Sequence, residues 1–213
     1  MSRNKYPEET RKLILEKSTQ LFLENGYENT TIQDIIDRLG GLSKGAVYHH
    51  FKSKNEILLA VMDNMYANNH LLDDWTLILK DKSKSGKDKI KAMIIRSLSD
   101  PDEQRFISMR IDYKKSPELL SDYLKRTVEY LAPQYFEVAI RQGIEDGSVR
   151  TDFPKELAQV FMLLCNIWLN PLVFQCGTEE IKNKFLFLSS LAESFGLGDI
   201  AKDVFPLLEQ YSK

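Results

Sequence analysis

The sequence predicts an all-α protein, and two observations support this fold class. Apolar residues recur at the three- and four-residue spacing of one helical face through most of the 213-residue chain. Capping residues, prolines and glycines stand where these patterns begin and end, as helix boundaries require. The sequence has no evident alternating strand pattern and no internal repeat, so we expect helices alone to form the core.

The first helix is predicted from Pro7 to about Asn25. Proline suits the first turn of a helix, and Gly26 ends it because glycine tolerates the backbone that a helix terminus needs. We expect this helix to cover the backs of the two helices that follow. Its inner face is expected to consist of Ile14, Ser18, Leu21 and Phe22.

Two short helices joined by a glycine turn are predicted between residues 30 and 54. Thr31 and Asp34 have the spacing of a capping box at the start of the first helix. The pair Gly40-Gly41 ends that helix, and Ser43 is a suitable cap for the next one. Helix, tight turn and second helix are typical of a helix-turn-helix, whose second helix enters the major groove of DNA.

The second of these helices, from Lys44 to about His50, carries the chemistry of a recognition helix. Ala46 and Val47 are expected to point inward. Gly45 lets the backbone approach DNA closely, and Lys44 can reach a guanine edge or a phosphate. Residues near the helix starts are also candidates, since the amides there attract phosphate oxygens. The expected DNA contacts are Thr30, Thr31, Ser43, Lys44, Gly45, Tyr48, His49 and Lys54.

From about residue 14 to residue 59 the sequence resembles the DNA-binding domain of the TetR family of transcriptional repressors. The residues that carry this resemblance are the run Phe22…Gly26-Tyr27…Thr30-Thr31-Ile32, the helix start Ser43-Lys44-Gly45 and the segment YHHFKSK at 48–54. The turn Gly40-Gly41-Leu42 is one residue longer than the commoner turn of the family. The resemblance implies a three-helix DNA-binding head over residues 1–55 and a C-terminal helical effector-binding and dimerisation domain over residues 56–213.

The resemblance also implies a function. It leads us to expect a ligand-responsive transcriptional regulator, with repression favoured over activation, that binds a palindromic operator as a homodimer and is released by a small molecule. In such a protein a long helix links the head to the effector domain and acts as a lever. The alternative that stays open is a constitutive DNA-binding or adaptor protein without an effector.

Longer helices are predicted beyond the head. No proline or glycine interrupts residues 53–85, so a single helix, bent near residues 68–69, is expected to bridge the two domains. Another helix is expected from about residue 119 to residue 145. It contains Pro133, which should kink it because proline removes a helical hydrogen bond. A last helix is expected over residues 199–211.

An almost wholly apolar segment at 155–174 suggests how the chain would assemble. A helix that is apolar on every side must be buried on every side. In a domain of this size, a second copy of the chain would cover one of those sides. We therefore expect a homodimer in which this helix and the helix at 178–196 pair with their counterparts as a four-helix bundle.

Aromatic residues on the middle helices are the candidates for an effector site, because small-molecule pockets combine aromatic groups with a few polar ones. Arg110 would need an anionic partner, from the protein or from a ligand, if it faced inward. Aromatic residues at helical spacing are more often part of the core, and that alternative stays open. The candidates are Trp75, Arg110, Tyr113, Tyr130, Phe136 and Trp168, together with Tyr135.

Composition and charge fit this interpretation. Residues 1–55 hold nine Lys/Arg and seven Asp/Glu, a net +2, whereas the remainder holds 20 and 24, a net −4, so the head has the sign expected of a DNA-binding unit. No apolar run reaches the ~18 residues of a membrane span and no signal peptide is recognisable, so we expect a cytoplasmic protein. Cys165 and Cys176 are expected to be reduced thiols in the core.

Catalysis and metal binding are not expected. The sequence lacks an HExxH, a Walker loop, a GxSxG and a GxGxxG. The neighbouring His49 and His50 point about 100° apart on a helix, so they cannot easily share a metal ion. We therefore predict neither an enzyme nor a cofactor, and we expect double-stranded DNA, a second copy of the chain and an unidentified small molecule as partners.

Overall fold

The computed structural model describes residues 7–68, 70–170 and 172–197. Within these ranges every regular element is helical, so the all-α prediction is confirmed. The helix predicted at 199–211 lies outside the described residues. The helices are α1 (Pro7–Asn25), α2 (Ile32–Arg38), α3 (Lys44–His50), α4 (Lys54–Asn68), α5 (Leu71–Lys80), α6 (Gly86–Leu98), α7 (Pro101–Ser108), α8 (Pro117–Lys125), α9 (Glu137–Glu145), α10 (Pro154–Leu163) and α11 (Thr178–Ser194), with π-helical segments at Arg126–Phe136 and Leu164–Trp168.

The described chain divides into two compact units. The first unit consists of residues 7–68 together with residues 102–119, and the second consists of residues 70–101 together with residues 120–197. The sequence predicts the boundary between the DNA-binding head and the effector domain at residue 55. The first unit, however, also contains residues 102–119, which lie far beyond this boundary. That functional division stays a prediction.

The first unit is built around the inner faces of α1 to α4. α1 packs against α2 and α4, and α2 packs against α3. α1 thus supports the first of the two helices that follow it, and direct support of the second stays a prediction. The core forms because each of the four helices contributes one or two apolar side chains that have no exposure at all. These side chains belong to Ile14, Phe22, Ile35, Val47, Ile57 and Leu58.

The helix predicted over residues 53–85 is in fact two helices, so this expectation is wrong. α4 ends at Asn68, and α5 begins at Leu71 with His70 at its cap position. Asparagine side chains compete for backbone hydrogen bonds and are weak helix formers, so the pair Asn68-Asn69 favours an interruption without any proline or glycine. The division between the two units falls at this same point.

The long helix around Pro133 is continuous, but part of it has the wider turn of a π-helix. α8, the π-helical segment Arg126–Phe136 and α9 follow one another without a break. Pro133 lies inside the π-helical segment, and the Glu137 N–H after it donates to Ala132 O, five residues back. Because proline has no N–H and its ring crowds the preceding turn, a wider turn accommodates it.

The second unit has a core of aromatic and aliphatic side chains from α5, α6, α9, α10 and α11. Its tightest contact joins the start of α6 to the end of α9. A Cβ added to Gly86 would lie 2.1 Å from Gly143 N. The Gly86 N–H donates to the Asp146 carboxylate at 2.7 Å, and Lys89 Nζ donates to Gln142 Oε1 at 2.8 Å. The two helices thus meet backbone to backbone.

The apolar segment at 155–174 is shorter as a helix than the sequence suggests. α10 ends at Leu163, and the π-helical segment Leu164–Trp168 contains no fully buried residue. α11 follows, with Gly177 at its cap position. Large apolar side chains remain exposed on both sides of this connection: Val160, Phe174, Leu186 and Phe187.

Candidate nucleic-acid interface

The helix-turn-helix begins with the capping box that the sequence predicts. Thr31 Oγ1 accepts from the Asp34 N–H at 3.1 Å, and the Asp34 carboxylate accepts from the Thr31 N–H at 2.7 Å. The Thr31 hydroxyl also donates to this carboxylate, and these bonds lower the pKa of Asp34. The start of α2 is therefore fixed by its own side chains, and Thr31 remains exposed beside it.

The turn between α2 and α3 requires its two glycines. Gly40 has a φ of 59° and Gly41 a φ of 126°, both in the region that L side chains rarely adopt. A Cβ at either position would meet nothing within 4 Å, so the requirement is one of backbone handedness and not of space. The Ser43 hydroxyl then accepts from the Ala46 N–H at 3.2 Å and caps α3.

α3 is anchored on one side and open to solvent on the other. Val47 is fully buried and holds the helix against the first unit. The opposite face consists of side chains that can approach DNA, and Lys44 Nζ lies 5.8 Å from the centre of the Tyr48 ring. A Cβ on Gly45 would meet only Ser43 Oγ, at 3.9 Å, so this part of the surface is flat. The exposed residues of this face are Ser43, Lys44, Gly45, Tyr48 and His49.

Two of the expected DNA contacts have internal partners instead. Thr30 has no exposed surface, and its hydroxyl donates to Gly26 O at 2.9 Å. Lys54 Nζ donates to Tyr27 O at 2.8 Å and lies 4.1 Å from the centre of the Tyr27 ring, and burial lowers its pKa. These bonds give both residues a supporting role within the unit. A DNA contact for Thr30 or Lys54 stays a prediction.

Tyr27 packs over the junction that follows α1. Its side chain is 2% exposed, packs edge-on against Phe22 with ring centres 5.3 Å apart, and donates its hydroxyl hydrogen to Asn55 Oδ1. The dipeptide Gly26-Tyr27 after α1 is the only sequence signal for this role. Tyr27 connects the end of α1 with the start of α4 and thereby fixes the support of the two reading helices.

The candidate effector residues fall into two groups. Trp75 and Phe136 lie in the core of the second unit with ring centres 5.4 Å apart, and Trp75 Nε1 donates to Met93 O. Tyr135 lies 5.2 Å from Trp75 and 6.4 Å from Tyr130, again between ring centres. These four aromatic residues form one cluster within the unit, and 44% of Tyr130 is exposed.

The other candidates lie apart from this cluster. Trp168 packs against Phe187 with ring centres 5.9 Å apart. Tyr113 is buried in the first unit, and Arg110, also in the first unit, has an exposed side chain. Arg110 thus does not face inward, and the condition under which it would need a buried anion is not met. A ligand-binding role for each of these residues stays a prediction.

Histidine and cysteine side chains are the remaining candidates for metal or thiol chemistry. Among the described residues, no group of three or more His, Cys, Asp or Glu side chains could hold a metal ion. His50 is half-buried, and burial lowers the pKa of its imidazole. Cys165 and Cys176 are free, and burial raises the pKa of the Cys165 thiol to about 12, which makes it a poor nucleophile.

The capped helix α2, a left-handed glycine turn and the short helix α3 with its exposed basic and aromatic face together define a helix-turn-helix DNA-binding protein. The family model described as bacterial regulatory proteins of the TetR family matches residues 14–61. Residues 14–61 therefore form a DNA-binding domain of the TetR type, and the proteins that share this domain regulate transcription by binding DNA. In the part of the chain that the structure describes, no helix is long and apolar enough to cross a membrane.

Individual relatives agree with this assignment. The chain is 24% identical over 158 residues to the HTH-type transcriptional repressor AcnR of Corynebacterium glutamicum. The aligned residues cover 73% of this chain and 77% of that protein. A TetR-family regulator from Pectobacterium atrosepticum has the same fold with a TM-score of 0.64 and 21% identity, over 91% of this chain and 97% of that one. A regulator from Saccharomonospora viridis, solved in complex with choline, matches with a TM-score of 0.58 and 23% identity, over 87% and 96%. These matches indicate no enzymatic family.

Proposed function

We propose that the protein is a ligand-responsive repressor that binds a palindromic operator as a homodimer and leaves it when a small molecule binds. The observation that carries this proposal is the exposed face of α3 above a fully buried Val47. Lys44 supplies a donor for a phosphate or a guanine edge, and Tyr48 and His49 supply shorter-range hydrogen bonds. Gly45 leaves room for the backbone to approach the base pairs.

The apolar surface of α10 and α11 supports the homodimer. Val160 is 51% exposed, and Leu186 and Phe187 are 52% and 58% exposed. Side chains of this size are normally withdrawn from water, and a second copy of the same two helices would bury them in an isologous interface. A dimer would present two copies of α3 to the same DNA, and half-sites about 34 Å apart would then be required.

The aromatic cluster of Trp75, Tyr130, Tyr135 and Phe136 supports an effector site in the second unit. Aromatic faces with a phenol or indole group at their edge are common in small-molecule pockets. The choline complex of the Saccharomonospora viridis regulator indicates that a protein of this fold can hold a small molecule. The effector would act by binding more tightly to the arrangement of the heads that does not fit the operator.

A constitutive regulator without an effector is the second candidate. It is favoured by the packing of Trp75 and Phe136, which are only 4% and 3% exposed and so already have protein partners. A thermal-shift screen against small molecules distinguishes the two candidates. The repressor proposal expects a compound that both raises the melting temperature and releases DNA, whereas a compound that stabilises the protein without releasing DNA would favour the second candidate.

The DNA-binding proposal is tested by fluorescence anisotropy with duplexes from upstream of the gene. Lys44→Ala should weaken operator binding at least fivefold, because it removes a phosphate or base contact worth about 1 kcal/mol or more. Lys12→Ala is the matched control, because Lys12 is an exposed lysine on the outer side of α1. Equal losses in both variants would show that only net charge matters, and would contradict a reading role for α3.

A further inference from the structure

The first unit includes a segment that is distant in sequence from the helix-turn-helix. Residues 102–119 pack with residues 7–68, and the backbone contacts between them are at the junction of α1 and α2. The Tyr27 N–H donates to Met109 O at 2.7 Å. The Asp112 N–H donates to the Glu28 carboxylate at 3.3 Å. Two hydrogen bonds in opposite directions thus connect this junction to residues 109–116, a part of residues 102–119 that is called the segment 109–116 below.

The Tyr27 side chain extends this tie to α4. Its hydroxyl donates to Asn55 Oδ1 near the start of α4, and Lys54 covers the ring. The side chain of Ser116 in the segment interacts with the same hydroxyl and acts to lower its pKa. Burial is the main reason that the pKa of Tyr27 is raised to about 12. One buried side chain therefore contacts the end of α1, the start of α4 and the segment 109–116.

The backbone of the segment is held in a demanding conformation. Among the described residues, Arg110 is the one non-glycine residue with a positive φ, 50°. Its side chain is exposed, so no buried contact of the guanidinium explains this conformation. Such a backbone persists where its surroundings fix it on both sides. Here Met109 O is bonded to Tyr27 on one side, and Ile111 and Tyr113 are buried on the other.

We propose that residues 109–116 are a positioning element of the DNA-reading unit, with Tyr27 and Glu28 as the residues through which they set the aim of α2 and α3. The inference rests on the proposed DNA-binding function. Just before residue 102 and just after residue 119, the chain belongs to the second unit. The order of this segment and the binding of the operator are then coupled through its contact with Tyr27 and Glu28. Because such coupling is reciprocal, operator binding must also stabilise the segment.

Replacement of Glu28 tests the contact. Glu28→Ala removes the acceptor for the Asp112 N–H, and Glu28→Gln keeps an oxygen that can accept. Glu16→Ala is the charge-matched control, because Glu16 is exposed on α1 and bonds only to its helical neighbours Lys17 and Gln20. The measured quantity is the ratio of affinities for the upstream duplex and for a shuffled duplex of equal length, at one salt concentration and well below the unfolding temperature.

We expect Glu28→Ala to lower this ratio about three- to tenfold, the effect of one hydrogen bond in an element that must be ordered for specific binding. Glu28→Gln should recover most of the loss, and Glu16→Ala should leave the ratio unchanged. If the wild-type chain prefers the upstream duplex, and the affinity ratios of Glu28→Ala and Glu16→Ala are equal, the inference is overturned while the proposed function stands. A wild-type chain that binds both duplexes equally would refute the proposed function, and the inference with it.

Hydrogen–deuterium exchange of the wild-type protein gives a measurement that needs no variant. Peptides covering residues 109–116 should exchange more slowly when the upstream duplex is bound, although this segment lies outside the face of α3. The shuffled duplex should not produce this slowing. Equal exchange rates with and without the upstream duplex would mean that the segment is only a structural support, and would overturn the inference.

Discussion

Gly86→Ala should strongly destabilise the second unit, because the new methyl group has no space. A Cβ at this position would lie 2.1 Å from Gly143 N, 2.3 Å from Gly143 Cα and 2.5 Å from Ala139 O, all of them backbone atoms. Ordinary van der Waals contacts of Cβ begin at about 3.4 Å, so α6 and α9 would have to separate by more than 1 Å. No rotation of a side chain can relieve this overlap.

The expected cost follows from these distances. Insertion of a methyl group into a filled interior costs about 1–3 kcal/mol, and a backbone clash is at the upper end or beyond it. Separation of the helices would also weaken the hydrogen bonds from Gly86 to Asp146 and from Lys89 to Gln142. We expect a loss of about 3 kcal/mol, which for a chain of this size lowers the melting temperature by about 6–12 °C.

Urea denaturation followed by circular dichroism measures this loss, and Gly45→Ala provides the same substitution without the clash. A Cβ on Gly45 would meet only Ser43 Oγ at 3.9 Å, so this variant should be as stable as the wild type or slightly more so. Gly45→Ala should instead weaken operator binding. The reasoning is refuted if Gly86→Ala unfolds within about 1 kcal/mol of the wild type with an unchanged slope in urea.

Three further outcomes are expected. Because the pKa of Tyr27 is raised to about 12, its contribution to stability should be intact below pH 10 and should decline as the pH rises from 10 towards 12. Denaturation across this range should therefore show a steeper loss of stability in the wild type than in Tyr27→Phe, in which the other tyrosines and the lysines still titrate. Lys54→Ala should lower the melting temperature more than Lys44→Ala does, because Lys54 Nζ donates to Tyr27 O, whereas Lys44→Ala should lower operator affinity more. A larger loss of operator affinity in Lys54→Ala than in Lys44→Ala would support Lys54 as a DNA contact. Phe187→Glu should shift sedimentation from a dimer to the 24.7 kDa chain, whereas Leu77→Glu, at a side chain that is 66% exposed on α5, should not; a monomeric wild type would contradict the proposed interface.

The helix-turn-helix could be predicted from sequence because its determinants are local. The capping box of Thr31 and Asp34 spans four residues, and the glycine turn depends on the backbone of Gly40 and Gly41 themselves. The inward position of Val47 follows from helical spacing. Each of these features is decided within one or two turns of helix, so neighbouring residues suffice to predict it.

The supporting contacts could not be predicted in the same way. The interruption after Asn68 has no proline or glycine to mark it, and its weak signal is the pair of asparagines. Lys54 bonds to a carbonyl 27 residues away, and Asp112 donates to a carboxylate 84 residues away. Pairings at such separations depend on how whole helices pack, and periodicity along the chain contains no information about them.

The division of the first unit into two stretches of sequence has a consequence for protein engineering. Transplanting the recognition specificity of this protein onto a relative by exchanging residues 1–68 alone would leave Tyr27 and Glu28 facing a foreign loop. A chimera that also carries residues 102–119 would keep both native hydrogen bonds, from the Tyr27 N–H to Met109 O and from the Asp112 N–H to the Glu28 carboxylate. Modular exchange of operator specificity between such repressors therefore requires two grafts, and the second lies where no alignment of helix-turn-helix motifs would place it.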